Sequence, residues 1–380
     1  MNKQVTILAI ESSCDETSAA VVVNGCQILS CIVSSQIPIH QRFGGVVPEI
    51  AARAHVEQIN TVIEQALCAA YPIIKPREAL IKEIDYLAVT HGPGLIGSLL
   101  VGVNAAKTLS MVFNKPLIPV NHILGHVYSN FLQEQENKCE MRNAKCKSIE
   151  NTNYNNSSDT LHSAFCILHS PFITLVASGG HTDLILTKGH NNHQLIAQTR
   201  DDAAGEAFDK AAQLLSLSYP GGPSIAKSAI NGNPEIYNLP RGLSKIHTLD
   251  FSFSGLKTAL SQLINEKRKS NINIPTIAPD LASSFQESII DSLVSKTVQA
   301  AIKYDVKNIF LAGGVAANTR LRTEFANTAS LNNLIFHAPL IEYCTDNAAM
   351  IGAAAYGSVL LKHYESCYDV NVTREAELKL

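Results

Sequence analysis

Two histidines, His122 and His126, stand four residues apart in Asn121-His122-Ile123-Leu124-Gly125-His126. On a helix that spacing stacks both imidazoles on one face, roughly 5–6 Å apart at Cβ and within reach of one shared metal ion. Ile123 occupies the position where a zinc protease of the H-E-x-x-H type carries its general-base glutamate. The pair therefore offers ligands without the base that peptide hydrolysis needs. Taken alone, it fits two polar residues on a helix face equally well. Further on, Cys344-Thr345-Asp346-Asn347 precedes the small-residue run Ala348-Ala349-Met350-Ile351-Gly352. Thr345 or Asp346 suits an N-cap; a cleft-facing Asp346 would instead complete a His/His/Asp set.

A second group is acidic. Glu11-Ser12-Ser13-Cys14-Asp15-Glu16-Thr17-Ser18 places adjacent carboxylates, Asp15 and Glu16, among hydroxyls in a hairpin. Such a turn can hold a cation, orient a metal-bound phosphate or accept a proton, and a plain solvated turn is the competing reading. Glycines form a third group. Val176-Ala177-Ser178-Gly179-Gly180-His181 and residues 311–318, with Gly313-Gly314, put paired glycines at strand ends. There, backbone amides approach an anionic ligand closely and a helix N-terminus favours negative charge. Two such loops in one half of the chain favour nucleotide binding over tight packing. Gly221-Gly222-Pro223 reads as a turn, and Glu206 and Asp209 either complement a helix dipole or accept bonds from ribose hydroxyls. Gly92-Pro93-Gly94-Leu95-Ile96-Gly97 matches a dinucleotide fingerprint, but the next strand ends in Asn121-His122 without the carboxylate that fingerprint wants. A Rossmann dehydrogenase is disfavoured on that ground, and no G-x-x-x-x-G-K-[ST] loop occurs.

These residues need a scaffold of some size. The chain has 380 residues, 46% of them hydrophobic and only 17% charged, which predicts two or more packed domains and not a disordered chain. A net charge of −3 excludes a global basic field, so nucleic acid would have to meet a local patch or a partner. The nine cysteines lack C-x-x-C spacing, as expected of free thiols in a reducing compartment. No run of about 18 uninterrupted apolar residues and no leader pattern occurs, so a cytoplasmic protein without a membrane partner is expected. Strands are predicted at 5–10, 18–23 and 28–33, with Asn24-Gly25 as a hairpin turn, then helix 48–70, strand 86–90, helix 95–113 and strand 117–120. The pattern then restarts: strands 172–177, 184–187 and 194–198, helices 205–215 and 281–304, strand 308–312, helix 319–328, strand 334–338 and helix 346–361. Two related α/β lobes facing each other across a cleft follow from that repetition. Residues 137–162, rich in Asn, Ser and Lys, read as an insertion or linker.

Ten motifs in order carry a resemblance: ESSCDETS from Glu11, GGVVPE from Gly44, HGPGLIGSLLVG from His91, NHILGH, SGGHTDL, DDAAGEAFDK, YPGGP, DFSFSGLKT, AGGVAANTRLR and CTDNAAMIGAA. Over nearly all of residues 4–360 the chain resembles the bacterial tRNA N6-adenosine threonylcarbamoyltransferase (TsaD) family. The resemblance implies the two-lobed actin, Hsp70 and sugar-kinase (ASKHA) fold, with duplicated RNase H-like lobes and a central cleft. Its divisions would be lobe 1–136, insertion 137–165, unusually long for the family, and lobe 166–380, with helix 346–361 packing back toward the first lobe. It implies transfer of threonylcarbamoyl from threonylcarbamoyl-AMP to N6 of adenosine 37, in tRNAs reading codons that begin with adenine, with release of AMP. By the same resemblance His122, His126 and Asp346 hold one divalent metal ion per subunit, iron or alternatively zinc. Val176, Ala177, Ser178, Gly179, Gly180, Asp209, Gly222 and Asn318 bind the adenylate, and Asp15 and Glu16 are the catalytic pair. The implied partners are tRNA, a TsaB-like paralogue and a TsaE-like ATPase. A kinase or ATPase of the same fold and a non-catalytic nucleotide-binding scaffold are the alternatives.

Overall fold

In the computed structural model, residues 4–134, 171–190, 192–244, 247–362 and 369–373 are described. The expected insertion at 137–165 lies outside them. The chain opens with an antiparallel meander, β1 (Thr6–Glu11), β2 (Glu16–Val23) and β3 (Gln27–Ser35). Asn24 and Gly25 turn β2 into β3 at φ values of 51° and 70°, the left-handed region that these two residue types tolerate best. Next come α1 (Ile37–His40), α2 (Pro48–Ala70), α3 (Pro76–Lys82), β4 (Tyr86–Gly92), α4 (Ile96–Phe113), β5 (Leu117–Asn121), α5 (His122–Tyr128) and β6 (Gln133–Glu134). Pro48 opens α2 as expected, since its missing N–H falls where no helical bond is made. The sheet order is β5-β4-β1-β2-β3-β6, with β4 and β5 parallel to β1.

The second half repeats the plan with β7 (Phe172–Ala177), β8 (Thr182–Thr187), β9 (His193–Gln198), α6 (Ala204–Leu214), α7 (Gly221–Ala229), α8 (Ser254–Lys269), α9 (Ile274–Lys303), β10 (Asn308–Ala312), α10 (Thr319–Leu331), β11 (Ile335–His337) and α11 (Ala348–Leu360). Its order is β11-β10-β7-β8-β9, again a meander on one side of the first strand and two parallel strands on the other. The architecture is α/β, with two lobes of equivalent topology. Alternation along β1 decides which helices meet which face. Leu8 and Ile10 pack under α2 and α4 with Ile59, Leu67 and Val103, whereas Ile7 and Ala9 meet α5 and α11. That second cluster runs on into Phe172, Val176 and Phe310 of the other sheet, so α5 and α11 form a layer between the two sheets. Helices α6 to α10 close the far side of the second sheet.

Small residues permit this middle layer. A Cβ on Gly352 would stand 2.8 Å from Val22 Cγ2, and one on Gly125 would stand 2.7 Å from Ile351 Cδ1. The helices thus approach the first sheet and each other at backbone range. At 18 residues α4 is long and apolar enough to cross a bilayer, but Val103 and Ala106 pack one face of it onto the core of the first lobe. Among the described residues Cys14, Cys26, Cys31, Cys68 and Cys344 are free thiols.

Four helices were not expected: α1, α3, α7 and α8. Helix α8 buries only Leu256, Leu260 and Ile264, and its start is fixed from far away. Asp201 accepts bonds from Phe253 N (2.7 Å) and Ser254 N (3.2 Å), so a cap more than fifty residues upstream replaces a local one. The dinucleotide-like glycines serve packing, since a Cβ on Gly94 would stand 2.6 Å from Ser13 O and one on Gly97 would stand 3.2 Å from Ala52 Cβ.

Candidate functional site

Helix α5 begins directly at the end of β5 because Asn121 caps it, its side-chain oxygen accepting from Ile123 N (2.8 Å) and Leu124 N (3.2 Å). The cap fixes His122 as the first helical residue and sets His126 one turn on, with ring centroids 4.7 Å apart at 78°. At the other end of the chain the expected N-cap of α11 is corrected. Neither Thr345 nor Asp346 caps it; Asn347 does, accepting from Met350 N at 3.0 Å. Asp346 is thereby released to face the histidines, with Oδ1 at 3.1 Å from His126 Nε2 and 3.6 Å from His122 Nε2. One donor atom from each of the three residues lies within 4.8 Å of the other two.

His126 is fully buried; its Nε2 faces the Asp346 carboxylate, and its Nδ1 has no hydrogen-bond partner among the described residues. A buried ring nitrogen left without a partner costs about 1–3 kcal/mol. Two imidazoles with one carboxylate suit zinc or ferrous iron with further positions open. The donor set therefore fits a divalent metal.

Behind the triad stands Glu11, which the sequence placed only in an acidic hairpin. It is fully buried at the end of β1. Its Oε2 lies 3.1 Å from His122 Nδ1 and accepts from Thr90 Oγ1 at 2.5 Å, while Oε1 accepts from Ser13 N at 2.5 Å. A carboxylate on Nδ1 leaves Nε2 aimed at Asp346, the arrangement that orients metal-binding histidines. Burial opposes the charge on Glu11, but His122 outweighs it and holds the carboxyl below its ordinary value. Burial likewise opposes an imidazolium at His122, yet Asp346 and Glu11 raise it to about 9. Asp346, half-buried, is held well below the carboxylate range by the two histidines.

Asp15 and Glu16 are half-buried between this triad and the second lobe. Burial and the neighbouring Asp15, with Asp346 adding to them, push the Glu16 carboxyl well above its ordinary range, while Ser35 donates to Glu16 Oε1 at 3.3 Å. The charge of Asp15 also reaches Asp209 and Tyr219 across the cleft.

In the second lobe Val176 and Ala177 are buried at the end of β7, so only their backbone can meet a ligand. Ser178 closes a tight turn, its N–H donating to His181 O (2.8 Å) and its hydroxyl accepting from His181 N (3.2 Å). Gly179 and Gly180 project into open space, as do Gly222 and Gly314, where an added Cβ would meet nothing within 4 Å. Gly313 has φ 87° and a Cβ there would run into Ala177 O, so only glycine fits. Asp209 Oδ1 accepts from Gly221 N at 2.6 Å and pins the start of α7, so Gly221-Gly222 opens a helix where a turn was expected. Asn318 caps α10 through Leu321 N (3.0 Å) and donates to Gln286 Oε1 (2.9 Å). Both polar residues therefore hold glycine loops in place. His181, a second residue the sequence did not single out, is depressed to about 4 by burial and by His122 and His126, so it is neutral beside the triad.

Known proteins resemble this chain along most of its length. The family model described as TsaD, tRNA N6-adenosine threonylcarbamoyltransferase, matches residues 27–165 and 156–353. A tRNA N6-adenosine threonylcarbamoyltransferase of Clostridium kluyveri is 47% identical over 363 residues, covering 94% of this chain and 93% of that protein. Those of Kosmotoga olearia (92% of each chain) and Staphylococcus haemolyticus (94% and 92%) are each 46% identical. Among solved structures, full-length HypF in a phosphate- and nucleotide-bound form aligns at TM-score 0.55 and 12% identity, and T. kodakarensis HypF at 0.57 and 13%. They match 94% and 96% of this chain but 47% and 49% of their own length, and at that identity the likeness concerns the two-lobed fold alone.

Proposed function

The chain belongs to the tRNA N6-adenosine threonylcarbamoyltransferase family, and from that premise we propose that it moves threonylcarbamoyl from threonylcarbamoyl-AMP to N6 of adenosine 37. The tRNAs are those reading codons that begin with adenine, and AMP is released. The reaction takes place in the cytoplasm, with a TsaB-like paralogue and a TsaE-like ATPase as partners. The observation that supports the reading best is a single turn, Ser178–His181, which joins the His/His/Asp triad to the glycine-lined cleft.

The donor is a mixed anhydride with a good leaving group, so positioning and charge stabilisation carry most of the catalysis. N6 attacks the carbamoyl carbonyl carbon, the C–N bond forms as the C–O bond to phosphate breaks, and AMP leaves with that electron pair. Exposed amides at Gly179 and Gly180, and the N-termini of α7 and α10, offer the adenylate phosphate donors and favourable dipoles. When bound by His122, His126 and Asp346, iron or zinc supplies a Lewis acid for the threonyl or carbamoyl oxygens. N6 must lose one proton, and Asp15 and Glu16 share the task of taking it. Burial and Asp15 raise the Glu16 carboxyl toward the pH at which it can act as a base.

The deciding measurement is single-turnover transfer of labelled threonylcarbamoyl from the adenylate to unmodified tRNA, with both partners present. Label in the tRNA is expected; no label, with robust ATP turnover in the absence of tRNA, would move the protein to the kinase and ATPase class. Because the base must be deprotonated, the rate should fall as pH falls through a value well above the ordinary 4.5 of Glu16. Glu16→Gln should remove that limb and slow transfer by about 10²–10⁴-fold; an unchanged profile would take the proton away from Glu16. Gly179→Val enters open space, so its melting temperature should match wild type. Its KM for the adenylate should rise by roughly tenfold or more, the equivalent of one lost ligand contact. An unaltered KM would place the adenylate elsewhere.

A further inference from the structure

The GGVVPE motif at Gly44 finds no use in the chemistry above, and it ends an unusual segment, residues 36–47 between β3 and α2. Its base is anchored in the core. Gln36 and His40 are 2% and 0% exposed. Gln36 N donates to Asp15 O at 3.0 Å, and its Nε2 reaches Ala51 O of α2 at 3.4 Å. His40 Nδ1 accepts from Val47 N at 3.3 Å, which leaves the proton on Nε2 to be donated to Gln36 Oε1 at 3.1 Å. One buried imidazole thus ties the two ends of the segment together.

Its tip is displayed instead of packed. The 3-10 turn Gln41–Phe43 ends at Gly44 with φ 69°, Arg42 is exposed, and the Phe43 ring is 59% exposed. A Cβ on Gly44 or Gly45 would meet nothing within 4 Å. From the bond to Asp15 the tip is seven residues of helical backbone away, about 10–14 Å of rise. The base of the segment is thus bonded to the acidic pair, with Gln36 N on Asp15 O and the Ser35 hydroxyl on Glu16 Oε1 at 3.3 Å, and the displayed tip lies within that reach of it.

We propose that Gln41–Gly45 is an RNA-docking finger, in which Phe43 stacks on an unpaired base flanking the target adenosine and Arg42 meets the adjoining phosphate. The proposal rests on the tRNA reading above. The chain carries a net charge of −3, so no global field draws a phosphodiester chain toward the cleft. Attraction has to be local. A free π-face, a guanidinium beside it and glycines that let a backbone pass close are the groups by which unpaired RNA is held.

The test is steady-state transfer to tRNA by the complete three-protein assembly, with direct tRNA binding and partner binding measured alongside. Phe43→Ala should raise KM for tRNA by about tenfold or more, with the loss confined to KM, unaltered metal content and unaltered melting temperature. Phe43→Tyr should restore most of it. Arg42→Gln should flatten the salt dependence of tRNA binding by roughly one phosphate contact. Ile73→Ala, at a side chain 99% exposed elsewhere on the lobe, should alter none of these. Wild-type KM in Phe43→Ala overturns the finger. So does a loss of partner binding with tRNA binding intact, which would make the tip a protein contact. If wild type itself transfers nothing to tRNA, the functional reading fails first and the finger falls with it.

Discussion

His126→Ala is expected to cut single-turnover transfer by about a thousandfold or more and to leave the protein unable to retain stoichiometric metal. Lewis-acid polarisation is worth several kcal/mol, and each 1.36 kcal/mol is a factor of ten in rate. What separates this loss from simple unfolding is the side chain's own situation. His126 is wholly buried, with Nε2 against the Asp346 carboxylate and Nδ1 without a hydrogen-bond partner among the described residues. Removing it takes away packing, but it also takes away an unpaired buried nitrogen costing about 1–3 kcal/mol. After chelation, His126→Leu should therefore melt at or above the temperature of equally treated wild type. Added metal should raise the melting temperature of wild type alone, because a ligand that binds only the folded state stabilises it by mass action. A His126→Ala protein with wild-type metal affinity would remove the triad as the ligand set.

Glu11→Gln should weaken metal binding by about 10–100-fold while leaving the fold intact. The substitution keeps the shape of a side chain that accepts from Ser13 N and Thr90 Oγ1, but removes the charge facing His122 Nδ1. Excess metal should then recover transfer in Glu11→Gln and not in His126→Ala, since one residue orients a ligand and the other is a ligand. Glu11→Ala is the harsher change: it strands two buried donors at about 1–3 kcal/mol each and should lower the melting temperature as well. Unchanged metal affinity in Glu11→Gln would reduce Glu11 to a packing role.

The contrast between these two residues marks what a linear sequence can convey. His122 and His126 lie one helical turn apart, so their shared face is written in the spacing. Glu11 meets His122 across 111 positions, through the parallel pairing of β1 with β4 and β4 with β5, and no local pattern announces it. The repeated meander was legible because each opening strand alternates or runs apolar, and Pro48 and Asn24-Gly25 have few other uses. Helix α8 was not, because its cap is a distant aspartate and its apolar stripe is only three residues long. The cap of α11 was off by one residue. Thr345, Asp346 and Asn347 all have suitable side chains, and only the histidines waiting across the cleft decide that Asp346 is the one left free.

The last long helix of the chain, α11, covers the inner face of the first sheet. During synthesis Ile7, Ala9, Ala20 and Val22 leave the ribosome early, but their cover at Ala348–Leu360 follows more than three hundred residues later. At about 5–20 residues per second that interval is roughly 15–70 s. The nascent N-terminal lobe therefore spends it with an apolar sheet face open, the condition under which chaperones bind and aggregates start. A chain that terminates before residue 348 never closes that face, so an interrupted translation product is marked for degradation by its own unfinished core and cannot persist as half an enzyme.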